Sequence, residues 1–132
     1  MERGAVATGS WGRAAFRFTI HAGRSGVAVE DLGELLGFDT WHLYSATDQR
    51  EDDAWMHECG GRTSAESEFV FRTLVDQLSA HAAQLSELRT AGAELMLAVS
   101  GSAEDSGFSP TAAELARIDR LGIRLILGEV RA

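Results

Sequence analysis

The chain contains 132 residues, of which 45% are hydrophobic and 24% are charged, and its formal net charge is −8. These proportions are ordinary for a globular domain and exclude a chain that is disordered over most of its length. The acidic balance argues against nucleic acid and anionic lipid as partners, because both are bound through clustered cations. The sequence also lacks the run of roughly 20 apolar residues that spans a membrane.

Three features of the sequence indicate the organisation and the setting of the chain. Residues 1–13 are rich in small residues and predict a flexible N-terminal tail, whereas residues 14–132 predict a single α+β domain. Cys59 is the only cysteine, which excludes an internal disulfide and favours a cytoplasmic location. All twelve basic residues are arginine, a bias that favours a GC-rich bacterial genome.

The first half of the domain predicts three strands and one short helix. Ala14–His21 alternates apolar and polar residues, as a half-buried strand does. Its inward side chains are Phe16, Phe18 and Ile20, and its outward side chains are Arg17, Thr19 and His21. A short helix over Val29–Leu36 and two strands, Thr40–Ser45 and Ala54–Cys59, follow. The acidic stretch Ala46–Asp53 predicts a flexible loop between these two strands.

A long helix and a strand open the second half. Thr63 and Glu66 form a capping-box pair at the start of the helix, in which each side chain can bond the other residue's backbone N–H. The apolar stripe of the helix contains Leu74, Leu78, His81, Leu85 and Leu88. Gly92 can adopt the left-handed conformation that ends it. Ala93–Ser100 then alternates as a strand with one buried face.

A shorter helix and a strand close the domain. Ser109 is predicted as the N-cap and Pro110 as the first helical residue, where a missing N–H costs nothing. Gly122 ends this helix, and the residues from Ile123 to Leu127 alternate as the last strand. The full order is βαββαβ followed by αβ. We therefore predict an α+β fold with a ferredoxin-like βαββαβ core, an added αβ unit, and helices packed mainly on one face of a mixed sheet.

Several of these segments together resemble a known family. They are Phe16-Arg17-Phe18-Thr19-Ile20, Leu35-Leu36-Gly37-Phe38, Trp55, Leu85 with Leu88, Gly92, Phe108-Ser109-Pro110 and Leu121-Gly122-Ile123. The succession resembles the bacterial domain-of-unknown-function family number 4279, over about Ala15–Val130. The family pattern has a proline after the first helix, where Asp39-Thr40-Trp41 stands here, and a basic residue with glycine in the next loop, which here is acidic. The family has no established activity, so the resemblance implies a fold and a bacterial setting but no reaction.

Candidate chemistry is sparse. His57 and Cys59 are two apart on a predicted strand and therefore point to one face, where His42 of the neighbouring strand could join them. No second cysteine or closely spaced histidine pair accompanies them, so a buried cysteine and a surface histidine are the favoured interpretation and no metal or cofactor is predicted. The acidic residues Asp48, Glu51, Asp52 and Asp53 lack the glycine and the terminal glutamate of a calcium loop.

The sheet face without helices is the better candidate for function. Aromatic and arginine side chains are typical anchors of protein contacts, although aromatic residues can equally complete the core. The predicted partner or ligand surface contains Arg17, His21, His42, Tyr44, Trp55, His57 and Arg124.

Two functions fit these residues. The favoured one is a non-catalytic binding or protein-interaction module, a small regulator or a toxin-neutralising protein, whose partner is a basic protein or a second copy docked on the open sheet face. The alternative is a small-molecule-binding protein or an enzyme with a cleft site around His42, His57 and Cys59.

Overall fold

The structure of the protein is a computed structural model that describes residues 14–45, 52–100 and 108–128. The predicted tail over residues 1–13 and residues 46–51 of the predicted acidic loop lie outside these ranges. The described chain is α+β, with a five-stranded mixed sheet and four α-helices. The strands are β1 (Ala14–His21), β2 (His42–Tyr44), β3 (Ala54–Gly61), β4 (Glu94–Ser100) and β5 (Arg124–Gly128).

The helices alternate with the strands along the chain. A 3-10 turn at Val29–Asp31 runs into the short helix α1 (Leu32–Leu35) between β1 and β2. Two helices, α2 (Ser64–Ala80) and α3 (Ala82–Ala91), connect β3 to β4, and α4 (Ala112–Arg120) precedes β5.

The sheet has the strand order β2-β3-β1-β4-β5. Strand β1 lies between β3 and β4 and is antiparallel to both, and β2 is antiparallel to β3. Only the last pair, β4 and β5, is parallel, as a strand–helix–strand crossover requires. The sheet is therefore mixed, as the sequence predicted.

The core lies between one face of the sheet and the helices. Phe16, Phe18 and Ile20 of β1 have no exposed surface, which confirms the predicted inward face of that strand. Phe16 packs against Phe71 of α2 and against Phe108, with ring centroids 5.0 and 5.2 Å away. Such contacts join the central strand to the helical layer, so this face of the sheet is covered by helices along β1.

The predicted long helix is interrupted at His81. The backbone N–H of His81 bonds to the carbonyl of Leu78 instead of Gln77. The carbonyl oxygen of Gln77 lies 2.9 Å from Nδ1 of the His81 ring, which donates to it. The side chain thus takes the acceptor that a continuous helix assigns to the backbone N–H, and α2 and α3 form in place of one helix.

The N-cap of α4 differs from the prediction by two residues. Thr111 is the N-cap, because its Oγ1 accepts from the N–H of Glu114 at 3.1 Å and the Glu114 carboxylate accepts from the N–H of Thr111 at 2.9 Å. This reciprocal pair satisfies two helix-end donors, which Ser109 followed by Pro110 cannot do. The prediction that Ser109 caps this helix was therefore wrong, although Gly122 follows its end as expected, at φ +74°.

The other boundaries need smaller corrections. Thr63 caps α2 and accepts from Glu66 N–H, but the Glu66 carboxylate accepts from the N–H of Arg62 and not from that of Thr63. The predicted helix over Val29–Leu36 is a 3-10 turn and one α-helical turn, and β2 has three residues where six were predicted. Gly33 lies inside α1, where its missing side chain leaves room for the ring of Trp41.

Candidate functional site

The strand registers sort the predicted site residues onto the two faces of the sheet. His42 pairs with Met56, Met56 with Thr19, Thr19 with Met96 and Met96 with Arg124. Residues directly opposite each other on neighbouring strands point to the same side, so these five form one row across the whole sheet. The row lies on the side opposite to Phe16 and Phe18, and we call this side the open face.

The open face gathers five of the predicted surface residues. They are Arg17, His21, His42, Tyr44 and Arg124. Tyr44 and Ile126 are the large exposed side chains of this face, at 39% and 38% exposure. Met96 and Ala98 are half-buried, whereas Ala54 and Met56 are buried at 2% and 7% exposure. The face therefore combines apolar area with arginine and aromatic groups, and it is most open over β1, β4 and β5.

Two polar contacts order the charges on the open face. The Nε atom of Arg17 donates to the Glu58 carboxylate at 3.0 Å, across the β1–β3 pair. The carboxylate of Asp52 accepts from the N–H of Gly23 at 2.8 Å and lies 3.9 Å from Nδ1 of His21. Exposed pairs of this kind contribute only about 0–1 kcal/mol to stability. These contacts mainly hold the charged groups at defined positions on the open face.

Trp55 and His57 lie on the other, helix-covered face. Their partners on β1 are Ile20 and Phe18, both of which have no exposed surface. Trp55 is itself fully buried, with its ring 6.0 Å from Phe18 and 5.2 Å from Phe38. Trp55 is therefore a core residue, whereas the sequence alone was compatible with either a surface or a core position. Trp41 packs against the core as a half-buried residue, and Tyr44 lies on the surface.

His57 is a partly buried residue at the margin of the core. Its ring packs on Phe38 at a centroid distance of 4.5 Å, and its Nδ1 donates to the backbone carbonyl of Thr40 at 2.8 Å. This hydrogen bond ties the segment before β2 to β3. The role that these contacts support is structural, because both the ring face and Nδ1 are used within the fold.

The proposed cleft of His42, His57 and Cys59 is not assembled. Cys59 and His57 share the helix-covered face, since they pair with Phe16 and Phe18. His42 pairs with Met56 and so points to the open face. Within residues 14–45, 52–100 and 108–128, no group of three His, Cys, Asp or Glu side chains is placed to hold a metal ion. The alternative function therefore lacks the convergence of side chains that it needs.

The family comparison matches most of the chain. A family described as "Domain of unknown function (DUF4279)" matches residues 38–127. The chain belongs to the DUF4279 family. Searches of curated proteins and of solved structures found no match. Most of the open face lies within the matched part of this DUF4279 protein, while Arg17 and His21 precede it.

None of the helices in the described ranges of this DUF4279 protein is long and apolar enough to cross a membrane.

Cys59 of the DUF4279 domain is unsuited to nucleophilic chemistry. Burial raises the pKa of its thiol to about 12, and the neighbouring Glu58 carboxylate adds to the rise. The thiolate is the reactive form, and a pKa this far above neutrality leaves almost none of it. The thiol is free of any disulfide and behaves as a small hydrophobic group on the helix-covered side of β3.

This leads to a prediction for thiol reactivity. At pH 8 we expect iodoacetamide to modify Cys59 in the native protein at least about tenfold more slowly than in the urea-unfolded chain, because only the unfolded thiol has its ordinary pKa of about 8.5. Mass spectrometry of timed samples measures both rates. Equal rates in the two states would contradict both the burial of the Cys59 thiol and its raised pKa.

Sequence reasoning missed the facing direction of β3. The residues Trp55 and Met56 are neighbours, and both are buried, on opposite faces. A strand that is apolar on both faces shows no alternation in its sequence. The face to which each of its side chains points must therefore be inferred from the strands that pair with it. The strict alternation of β1 could have assigned the β3 side chains to their faces only if the register between β1 and β3 were known.

Proposed function

We propose that this DUF4279 protein is a non-catalytic protein-binding module, of the small-regulator or toxin-neutralising kind, that docks a basic protein partner on the open face. The observation that carries this proposal is the open face, on which Tyr44, Ile126, Arg17 and Arg124 are exposed on the side away from the core. Surfaces of this mixed composition are typical of protein contacts. The dispersal of the histidine and cysteine side chains leaves the enzyme alternative without comparable support.

The choice of a basic partner rests on long-range charge. The chain has a net charge of −8, and a field of this sign raises the association rate with cations in low salt. The open face itself is close to balanced, with Arg17 and Arg124 against Asp52, Glu58 and Glu94. Steering therefore comes from the whole chain, and the contact energy comes from apolar groups such as Tyr44 and Ile126.

A second copy of the chain is the competing occupant. Two copies that each carry −8 repel one another, and this repulsion opposes a homodimer unless contact burial exceeds it. A basic protein gains from the same field. Charge therefore favours a different protein over self-association.

Capture with a matched pair of surface variants tests the proposal. The test variant combines Tyr44→Thr with Ile126→Thr on the open face. The control is Phe69→Gln on α2, since Phe69 is 63% exposed on the helical side. All substitutions are uncharged, so the net charge stays at its wild-type value. The immobilised wild-type chain, the double variant and the control are incubated with bacterial lysate at about 0.05 M salt and then washed at about 0.5 M, where exposed charges are screened.

We expect the wild-type chain and the control to retain a basic protein through the salt wash, because the contact energy is apolar, and the double variant to bind it at least about tenfold more weakly. Equal retention by the double variant, or retention of acidic proteins, would contradict the proposal. Sedimentation of the purified wild-type chain and of the double variant tests for self-association. Self-association that the double variant abolishes would assign the open face to a second copy and overturn the basic partner.

Strand order also supports a finer description of the fold, which we offer as part of the proposal. In the order β2-β3-β1-β4, strand β3 separates β1 from β2, and β1 separates β3 from β4. With all three pairs antiparallel, β1 and β2 run in one direction and β3 and β4 in the other. The two strand–helix–strand units, from β1 to β2 and from β3 to β4, are therefore interleaved in the sheet, which is typical of a ferredoxin-like core. Helix α4 and strand β5 add one crossover to it.

The cellular setting is proposed on composition. Basic residues that are all arginine favour a bacterial genome, and the single free cysteine favours a reducing cytoplasm.

A further inference from the structure

A small cavity opens where the parallel strands β4 and β5 begin. Its volume is about 160 Å³, and its lining includes Arg89, Glu94, Leu95, Met96, Gly122 and Arg124. This is below the roughly 300–1,000 Å³ of pockets that enclose a drug-sized molecule. The cavity is therefore suited to one small chemical group or to the end of a longer chain.

One arginine of this cavity lies against a glycine. The guanidinium of Arg89 lies directly over the Cα atom of Gly122, in the space that a side chain at this position would fill. Gly122 has φ +74°, a conformation that side-chain-bearing residues rarely adopt. Glycine at residue 122 therefore suits the turn after α4, and its missing side chain leaves the space that the Arg89 guanidinium occupies.

The second arginine of the cavity lining, Arg124, lies on the open face. Arg124 is the first residue of β5 and pairs with Met96. Among the described residues, neither Arg89 nor Arg124 makes an ion pair or a side-chain hydrogen bond. The lining of one cavity therefore includes two exposed arginines without carboxylate partners among the described residues, in a chain whose net charge is −8.

We propose that this cavity binds a carboxylate adjacent to an N–H group, as found in an N-acylated amino acid or in the last residue of a peptide. The planar guanidinium groups of Arg89 and Arg124 match a carboxylate in shape and charge. Glu94 can accept a hydrogen bond from the neighbouring N–H, and the half-buried Met96 offers an apolar surface to a side chain. A phosphate dianion suits the cavity less well, because Glu94 repels its second charge.

A purely structural role is the competing interpretation of Arg89. It lies in the last turn of α3 and against the end of α4, where a cation interacts favourably with helix dipoles and free carbonyl groups. Arg124 has no such position, since it opens a strand. The decisive substitution is therefore Arg124→Gln, which removes the charge without touching a helix end.

Titration of the full-length chain with four probes tests the site. The first two are N-acetyl-leucine and N-acetyl-leucinamide, which differ in the carboxylate alone. The others are an acetylated tetrapeptide that ends in leucine and its C-terminal amide. We expect both acids, and neither amide, to shift the backbone amide signals of Gly122 and Met96 saturably in ¹H–¹⁵N spectra.

The variants complete the test. Arg124→Gln should weaken binding of the acids at least about tenfold, as expected for loss of a charge-assisted pair. Arg72→Gln, which removes an exposed arginine of α2, should leave binding unchanged. Tighter binding of the tetrapeptide than of N-acetyl-leucine assigns the site to a chain end, and the reverse order assigns it to a free acid. Failure of both acids to bind, or equal binding of the amides, overturns the proposal.

This inference does not rest on the proposed docking of a basic protein. The Tyr44→Thr and Ile126→Thr variant leaves the residues of the cavity intact, so it should still bind the acids. The two proposals can therefore fail separately.

Discussion

Replacing Trp55 with alanine lowers the free energy of unfolding by about 3–5 kcal/mol, the range for loss of a large aromatic side chain from a packed core. The indole is fully buried and touches the rings of Phe18 and Phe38. Its removal leaves a cavity in the core, on the helix-covered side of β3. The free energy of unfolding of typical domains is only about 5–15 kcal/mol, so this single change removes a large part of it. Urea unfolding followed by circular dichroism measures the loss.

Trp55→Phe is the matched control for this change. Phenylalanine keeps an aromatic ring in the site and removes the indole Nε1, which is buried without a hydrogen-bond partner in the described structure. Losing an unsatisfied polar group offsets part of the lost volume. We therefore expect Trp55→Phe to cost less than about 1.5 kcal/mol. A loss below about 1 kcal/mol for Trp55→Ala would place the residue at the surface and contradict the structure.

Gly61→Ala lowers the free energy of unfolding by about 1–3 kcal/mol or more, because the end of β3 lies against the first turn of α2. A Cβ atom at residue 61 would stand 2.6 Å from the backbone nitrogen of Ser67 and 2.7 Å from its hydroxyl oxygen. The hydroxyl can be removed by mutation, but the backbone nitrogen belongs to a helix whose N-cap is Thr63. Strand and helix must therefore separate to admit one methyl group.

The Ser67→Ala background shows whether the backbone is the cause. Ser67→Ala alone should be mild, since its buried hydroxyl has no hydrogen-bond partner among the described residues. In the double variant with Gly61→Ala, the loss should remain close to that of Gly61→Ala alone. Full rescue in the double variant would assign the clash to the hydroxyl and contradict the backbone contact as its source.

The sequence predicted most of the elements because local signals were consistent with the packing. Strand β1 alternates strictly, and the observed burial of Phe16, Phe18 and Ile20 follows that alternation. Gly92 ends α3 in a left-handed conformation at φ +115°, as its position after Arg89 indicated. These marks act within a few residues of where they stand, so they can be read without knowing the tertiary structure.

Two errors came from competing local signals. Ser109-Pro110 and the pair Thr111 with Glu114 are both acceptable helix starts, and the reciprocal hydrogen bonds of the second decide the outcome. The spacing of Thr111 and Glu114 was a usable signal in the sequence. The break at His81 was less accessible, because it depends on the ring bonding to the carbonyl of Gln77.

The candidate site could be predicted only in part, because it depends on contacts between strands. Arg17 and His21 were assigned to the outward side of β1 from alternation alone. The separation of His42 from His57 depends on the register between β2 and β3, which pairs His42 with Met56. A one-residue difference in register reverses the face of every side chain, and three-residue β2 contains no pattern that fixes it.

The central claim is that the open face is where a partner docks, and methyl NMR of the complex tests it most directly. Both methionines of the described chain, Met56 and Met96, lie on this face, and Met96 is half-buried there. In ¹³C spectra with the captured basic protein, we predict shifted methyl signals for Met96 and Ile126 and an unchanged signal for the buried Ile118 of α4. Binding that leaves Met96 and Ile126 unshifted would contradict the claim.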